Sequence, residues 1–171
     1  DVRAARADPD MARVAAEAGA GLILMYNATP FPEGKTDPDP SWAAAPRLMD
    51  RIVRQLTDSM RRAVRDGVGT DHIAVDPGIG FGVSPAESCE ILRRLSELTS
   101  TGAPILIGPS RKSFIGATLG LPVEERLMGT AAAVAVGIAN GADFVRVHDI
   151  RDMVRVARMT DAIVREGTGR D

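Results

Sequence analysis

Residues 72–82 have the sequence His-Ile-Ala-Val-Asp-Pro-Gly-Ile-Gly-Phe-Gly. An apolar run ends in Asp76, and a proline and three glycines follow before the next helical pattern begins. This pattern predicts a buried strand that carries Asp76 at its carboxyl end, and then a loop whose backbone can approach a ligand closely. Ligands of α/β folds bind at the carboxyl ends of strands, so Asp76 is a candidate site residue by position. An Asp that caps the following turn is the alternative explanation.

The rest of the chain alternates between strand and helix patterns. Apolar runs of strand length occupy residues 21–26, 72–76, 103–108 and 142–147. Helical patterns occupy residues 8–18, 47–66, 84–102, 123–139 and 151–165, and a proline-rich loop, predicted to be flexible, occupies residues 27–46. No two strands are adjacent in sequence, which predicts a parallel α/β sheet built from right-handed βαβ units. The 171 residues suit a single domain spanning 1–171, but a complete eight-stranded α/β barrel needs roughly 250.

Composition excludes several classes of protein. Twenty-one basic and 23 acidic residues give a net charge of −2, which offers no bulk attraction to nucleic acid or to an anionic membrane. Cys89 is the only cysteine, which excludes an intrachain disulfide, and its place in a helical pattern predicts a packing residue. The sequence has no signal-peptide pattern and no run of 18 apolar residues. We therefore expect a cytoplasmic protein.

Polar residues follow three of the four predicted strands. They are Asp76, then Ser110-Arg111-Lys112-Ser113, then Arg146-Val147-His148-Asp149. Parallel strands place these groups on one rim, which predicts a shared site for an anionic ligand or a polar heterocycle. Arg146 and His148 lie two apart on a strand, so both point to the same side and can hold a phosphate together. The segment 110–113 opens a helix, whose first amides favour an anion.

Two reaction types fit these residues. In one, Lys112 forms a Schiff base after desolvation lowers its pKa. In the other, Lys112 and Asp76 bind a neutral heterocycle while Arg146 and His148 hold a leaving phosphate. The second type uses all of these residues, whereas the first leaves Asp76 without a task. Phe81 either stacks on a flat ligand or fills the core.

The sequence resembles the dihydropteroate synthase family in three segments that occur in the family's order. They are Asp76-Pro77-Gly78-Ile79-Gly80-Phe81-Gly82, Gly108-x-Ser110-Arg111-Lys112-Ser113-Phe114-Ile115-Gly116 and Arg146-Val147-His148-Asp149. Between them, Arg126 with Gly129-Thr130-Ala131-Ala132 and Gly141-Ala142-Asp143 also fit. Leu24-Met25 resembles an earlier Leu-Met-His segment, with Tyr26 where histidine is usual. The resemblance implies a (β/α)8 TIM-type barrel, of which this chain is the C-terminal part, from the end of strand 4 to helix 8.

The resemblance also implies a function in folate biosynthesis. The family condenses 7,8-dihydropterin methyl pyrophosphate with 4-aminobenzoate and releases pyrophosphate. By resemblance Asp76 hydrogen-bonds the pterin, and Lys112 contacts the pterin and shapes the second substrate's site. Ser113 binds the carboxylate of 4-aminobenzoate, and Arg146 and His148 hold the pyrophosphate. Met25 and Phe81 are implied to line the ring pockets, and the other implied substrate-binding residues are Gly80, Gly108, Ser110 and Arg111.

Other implied properties concern the metal, the partners and the missing strands. The family uses Mg²⁺ with the pyrophosphate, and its metal ligand lies in N-terminal strands that this sequence lacks, so no metal ligand is expected here. We therefore expect the isolated chain to be inactive. A homodimer through the C-terminal helices and binding of sulfonamide-type inhibitors are also implied.

Two alternatives remain open. A methyltetrahydrofolate-binding methyltransferase barrel shares an acid at the position of Asp76, but the signatures at 110–113 and 146–149 are not expected in it. A non-catalytic pterin-binding or scaffold half is the other. A non-catalytic half implies decay of the site. Against it stand the intact Asp76, Lys112, Arg146 and His148, whereas Tyr26 and the missing strands argue for it.

Overall fold

In the computed structural model, residues 1–29 and 43–165 are described, and they contain four parallel strands in chain order. The strands are β1 (Leu22–Met25), β2 (Ile73–Asp76), β3 (Leu106–Ile107) and β4 (Phe144–Val145). β1 pairs with β2, with Met25 opposite Asp76, and β3 pairs with β4, with Leu106 opposite Phe144. A bridge between Val75 and Ile105 joins these two ladders. The prediction of four parallel strands is confirmed.

Helices connect the strands, as the alternation of patterns predicts. They are α1 (Met11–Glu17), α2 (Leu48–Arg65), α3 (Pro85–Arg93), α4 (Ser113–Leu119), α5 (Leu127–Ala139) and α6 (Ile150–Val164). Shorter 3-10 turns cover Thr70–His72, Leu95–Thr101 and Val123–Glu125. The start of α3 follows from its sequence, since Ser84 and Glu87 form a reciprocal capping box and Pro85 takes the first helical position.

The two faces of the sheet have different surroundings. Leu24, Val75 and Ile107 point toward the helices and are fully buried in the main core. The alternate residues point to the other face, where Ile23 is 40% exposed and Phe144 is 53% exposed. Together with Ala74 and Leu106 these side chains line an apolar groove of ≈ 440 Å³. In a complete α/β barrel this face is the packed interior, so the strands are arranged as one side of such a barrel.

Two helices begin or end at other residues than the pattern predicts. The helix expected to run to residue 102 ends at Arg93, and a 3-10 turn continues the chain. Because a 3-10 turn has three residues per turn, Leu95 and Leu98 fall one above the other, and both are fully buried. The helix expected from residue 123 begins at Leu127, after a break at Arg126.

Two further expectations have different outcomes. Cys89 is half-buried and packs against the core, as predicted for a packing residue. Most of the predicted loop at residues 27–46 lies outside the described residues, because residues 30–42 are not described. Among the described helices, none has the length and apolar character that crossing a membrane requires.

Candidate functional site

Asp76 is buried at the carboxyl end of β2, as predicted. Its side-chain Oδ1 accepts a hydrogen bond from the backbone N–H of Gly78 at 2.8 Å. This is the turn-capping contact of the alternative explanation, and it uses one carboxylate oxygen. Burial raises the pKa of Asp76, and the Gly78 amide and the charges of Lys112 and Arg146 oppose the rise. Asp76 is therefore a desolvated acid beside two cations.

The glycine loop after Asp76 packs tightly on the segment that follows β1. Gly78 has a φ of +72°, and a Cβ there would lie 1.9 Å from the carbonyl oxygen of Tyr26. Gly82 also has a φ of +72°, and its Cβ would lie 2.3 Å from the backbone nitrogen of Thr29. These two glycines are required by the approach of two chain segments, whereas sequence reasoning attributed the loop's glycines to a ligand.

Lys112 extends across this glycine loop. Its Nζ donates a hydrogen bond to the carbonyl oxygen of Ile79 and lies 4.5 Å from the centre of the Phe81 ring. Gly80 lies beneath the lysine stem, since a Cβ there would be 3.2 Å from Lys112 Cδ. Burial lowers the pKa of Lys112, while the charge of Asp76 opposes that shift. Phe81 is half-buried with its ring under the ammonium group, so it is not a core residue.

Ser110 and His148 meet beyond the tips of β3 and β4. The Ser110 Oγ lies 2.8 Å from His148 Nδ1 and accepts a hydrogen bond from the His148 backbone N–H at 3.2 Å. A hydroxyl that accepts from the backbone can donate its own proton to Nδ1, which leaves Nε2 protonated. In that tautomer Nε2–H is a hydrogen-bond donor, and an anionic ligand requires such a donor.

Arg146 lies beside Gly108 on the same two strand tips. The guanidinium lies against Gly108, since a Cβ built there would be 3.6 Å from Arg146 Nε, an ordinary van der Waals distance. Arg146 is exposed, and it is near enough to influence the pKa values of Asp76 and Lys112. Arg146 and His148 are predicted to point to the same side of the strand. The contacts agree with this, because Arg146 lies against Gly108 and His148 against Ser110, two residues further along.

Arg111 has a protein partner for its side chain. Its Nε donates to Asp149 Oδ2 at 2.9 Å, and its Nη2 donates to Oδ1 of the same carboxylate. This fork holds the pKa of Asp149 below its usual range. The backbone N–H of Arg111 donates to the Thr130 hydroxyl at 3.0 Å. Asp149 and Thr130 have no predicted role, although both lie in segments that carry the family resemblance. Asp149 also follows His148 directly at a strand tip.

Met25 and Tyr26 face opposite sides of the sheet. Met25 pairs with Asp76 in the ladder, on the side that carries the site. Tyr26 has the parity of Leu22 and Leu24 and lies in the helix-facing core, where it is 1% exposed. Burial raises the pKa of Tyr26, and a hydrogen bond with Arg51 opposes the rise. The tyrosine at this position therefore packs behind the site.

The remaining expectations concern Ser113 and the metal. Ser113 is the exposed first residue of α4. Within residues 1–29 and 43–165, no group of three or more His, Cys, Asp or Glu side chains is placed to hold a metal ion.

Comparison with known proteins matches residues 1–148 to a family model described as pterin binding enzyme. Dihydropteroate synthase of Bacillus subtilis is 38% identical over 98% of this chain and 54% of its own length. A protein of Mycobacterium leprae named inactive dihydropteroate synthase 2 is 38% identical over 92% of this chain and 54% of its own length. The chain spans about half the length of these curated relatives.

Solved structures show the same similarity. A dihydropteroate synthase from Clostridium difficile, in the presence of pteroic acid, matches with a TM-score of 0.85 and 39% identity over 97% of this chain and 59% of its own. The Yersinia pestis enzyme in a sulfonamide drug complex matches with a TM-score of 0.81 and 30% identity, over 95% of this chain and 57% of its own.

Proposed function

Since the chain belongs to the family of pterin-binding enzymes, we propose that it forms the pterin and pyrophosphate side of a dihydropteroate synthase site. Its fold is the corresponding part of a TIM-type barrel, matched by dihydropteroate synthase structures over nearly the whole chain. The substrates are then the methyl pyrophosphate of 7,8-dihydropterin and 4-aminobenzoate.

The observation that carries this proposal is the rim shared by β2, β3 and β4. A buried carboxylate, Asp76, lies there beside the ammonium of Lys112 and the guanidinium of Arg146. His148 adds a ring nitrogen fixed by Ser110. A neutral heterocycle with N–H groups suits the acid, and a diphosphate suits the cations. The pterin pyrophosphate combines both in one molecule.

Each predicted site residue has a proposed role on this rim. Asp76 binds the pterin, and Lys112 contacts the pterin and shapes the site of the second substrate. Arg146 and His148 take up negative charge as the pyrophosphate leaves, which stabilises the transition state for cleavage at the pterin methyl carbon. Ser113 binds the carboxylate of 4-aminobenzoate. The proposed lining of the pockets comprises Met25, Phe81, Gly80, Gly108, Ser110 and Arg111.

Mg²⁺ is proposed to accompany the pyrophosphate, as the resemblance to the family implies. The roles above are those of the protein's own side chains. We also propose that the isolated chain turns over no substrate, because it spans about half the length of its relatives. The similarity to an inactive mycobacterial relative favours a second candidate, a pterin-binding half without catalysis.

The methyltransferase-type barrel shares the acid at Asp76, but the other groups on the rim do not favour it. The rim carries Arg146 and His148 beside a buried hydroxyl, which suits a diphosphate, and methyltetrahydrofolate offers no such group. Sulfonamide-type inhibitors are proposed as ligands, since the Yersinia pestis relative is known in a sulfonamide complex. A homodimer and a cytoplasmic location complete the proposal.

Two titrations of the chain test this function. Pyrophosphate is added to one ¹⁵N-labelled sample and pteroic acid to another, and amide shifts are followed by NMR. We expect Arg146→Met to weaken pyrophosphate binding about tenfold, because it removes charge-assisted hydrogen bonds, while pteroic acid binding is retained. Asp76→Asn should weaken pteroic acid binding and retain pyrophosphate.

Matched controls lie in the second half of α2, which leads to the start of β2, the end of the strand opposite the rim. Arg61→Met and Asp58→Asn remove the same charges from an ion pair there. Equal loss of binding in the controls, or shifts confined to other elements, would contradict the proposal. Binding of methyltetrahydrofolate without pyrophosphate would favour the methyltransferase alternative instead.

A further inference from the structure

Arg111 has a backbone conformation that needs support. Its φ is +56°, in the left-handed region that a residue with a Cβ rarely adopts. It lies between Ser110, which fixes His148, and Lys112, which crosses the glycine loop. A change of backbone at Arg111 would therefore move both neighbours.

Three groups hold Arg111 in place. The Thr130 hydroxyl accepts its N–H at 3.0 Å, and the carboxylate of Asp149 accepts its guanidinium. Its carbonyl oxygen accepts a hydrogen bond from Arg126 Nη1 at 3.0 Å. Both backbone polar groups of Arg111 are thus bound by side chains from the segment 126–130, at the start of α5.

Arg126 connects the two ends of the segment that contains α4. While Nη1 binds the carbonyl of Arg111, its Nε donates to the carbonyl of Leu121 at 3.1 Å. The guanidinium passes over Gly116, where a Cβ would lie 2.2 Å from Nη2. Only glycine leaves this path open.

The spacing in the sequence explains why one helix can do this. Arg126, Gly129 and Thr130 lie at i, i+3 and i+4, which places them on one side of the helix start. Gly129 allows the close approach of α4, since a Cβ there would be 2.3 Å from Ile115 Cγ2. This face therefore packs on α4 and binds the residue that precedes it.

We propose that Arg126 is a positioning residue of the site, which sets the placement of Ser110 and Lys112 by binding the Arg111 carbonyl across Gly116. Arg126 acts through the backbone and touches no ligand. The choice of pyrophosphate as the ligand affected rests on the proposed function. The ordering of residues 110–116 by Arg126 does not.

The test uses hydrogen exchange and pyrophosphate titration of the whole chain. In Arg126→Met we expect amide exchange in residues 110–116 to accelerate about tenfold, because charge-assisted hydrogen bonds to two carbonyls are lost. Exchange in residues 73–76 should be unchanged. Pyrophosphate affinity should fall by a similar factor, about tenfold. Arg61→Met, on α2, is the matched control and should change neither quantity.

Gly116→Ala gives an independent variant. It should reproduce both effects, since the new methyl group displaces the guanidinium. In an Arg126→Met background it should add nothing, because the two changes remove one interaction. Additive effects, unchanged exchange at 110–116, or equal acceleration in residues 73–76 would each overturn the proposal. If the unaltered chain does not bind pyrophosphate, the proposed function fails, and the exchange data alone still decide the role of Arg126.

Discussion

The Ser110 hydroxyl bridges the backbone N–H and the Nδ1 of a single residue, His148, 38 positions later in the chain. The contact joins the tip of β3 to the tip of β4. It orients an imidazole on a rim where Arg146 supplies the guanidinium. Two strands that share only a short ladder are thereby linked at their functional ends.

Removal of this hydroxyl should weaken anion binding without unfolding the protein. We expect Ser110→Ala to weaken pyrophosphate binding about fivefold, which corresponds to roughly 1 kcal/mol for one hydrogen bond. His148→Ala should cost more, and Ser110→Ala should add little to it, since the serine acts through the imidazole. Isothermal calorimetry measures the affinities. Ser100→Ala, at an exposed serine of the 3-10 turn Leu95–Thr101, is the control. Full additivity of the two changes would contradict the linkage.

The raised pKa of Asp76 makes a prediction about stability and pH. The folded protein binds this proton more tightly than the unfolded chain does. The free energy of unfolding therefore falls as pH rises through the pKa that Asp76 has in the folded protein. Asp76→Asn removes that loss and keeps an oxygen for the Gly78 N–H. We expect the variant to resist urea better at pH 7, with the advantage disappearing near pH 4, about the pKa of an unfolded Asp. Urea midpoints at the two pH values measure it. A variant less stable at pH 7 would contradict the prediction.

Tyr26 should matter for packing and little for ligands. Its side chain is 1% exposed in the helix-facing core. Tyr26→His replaces a buried ring with a smaller polar one, and we expect a loss of roughly 2 kcal/mol in the free energy of unfolding. Tyr26→Phe keeps the ring and loses the hydrogen bond with Arg51, at a cost of about 1 kcal/mol. Denaturant unfolding measures both. If Tyr26→His instead improves pyrophosphate binding and spares stability, the side chain acts at the site.

Apolar runs of strand length predicted the positions of all four strands, because side chains alternate with a period of two and a strand covered on both faces is apolar throughout. The strands expected at residues 103–108 and 142–147 are shorter than predicted, at Leu106–Ile107 and Phe144–Val145. The strand expected at residues 72–76 occupies Ile73–Asp76, and the three polar tips lie on one rim. The same period of two assigns Tyr26 to the face of Leu24, so its burial behind the site was predictable from the sequence. The fork of Arg111 on Asp149 was not predictable, since it joins residues 38 apart whose contact depends on the packing of β3 against β4.

The helix ends were harder to predict from the sequence, because they too depend on contacts between elements. Leu95 and Leu98 fit an α-helix or a 3-10 turn equally, since their spacing of three suits both. The late start of α5 depends on Arg126 reaching two carbonyls outside its own helix. Contacts between elements decide such ends, and local pattern does not contain them.

The proposed homodimer can be assigned to one of two apolar surfaces. On α6, Met159 is 62% exposed and Ile163 is 71% exposed, while on the inner face of the sheet Phe144 is 53% exposed. If the C-terminal helices form the dimer, sedimentation at micromolar concentration should show a dimer that Ile163→Glu converts to a monomer, because burying an unpaired charge is costly. Phe144→Glu should leave that dimer intact, since its face belongs to the barrel interior. Dissociation by Phe144→Glu alone would instead place the interface on the uncovered sheet, and a monomeric parent chain would count against the dimer altogether.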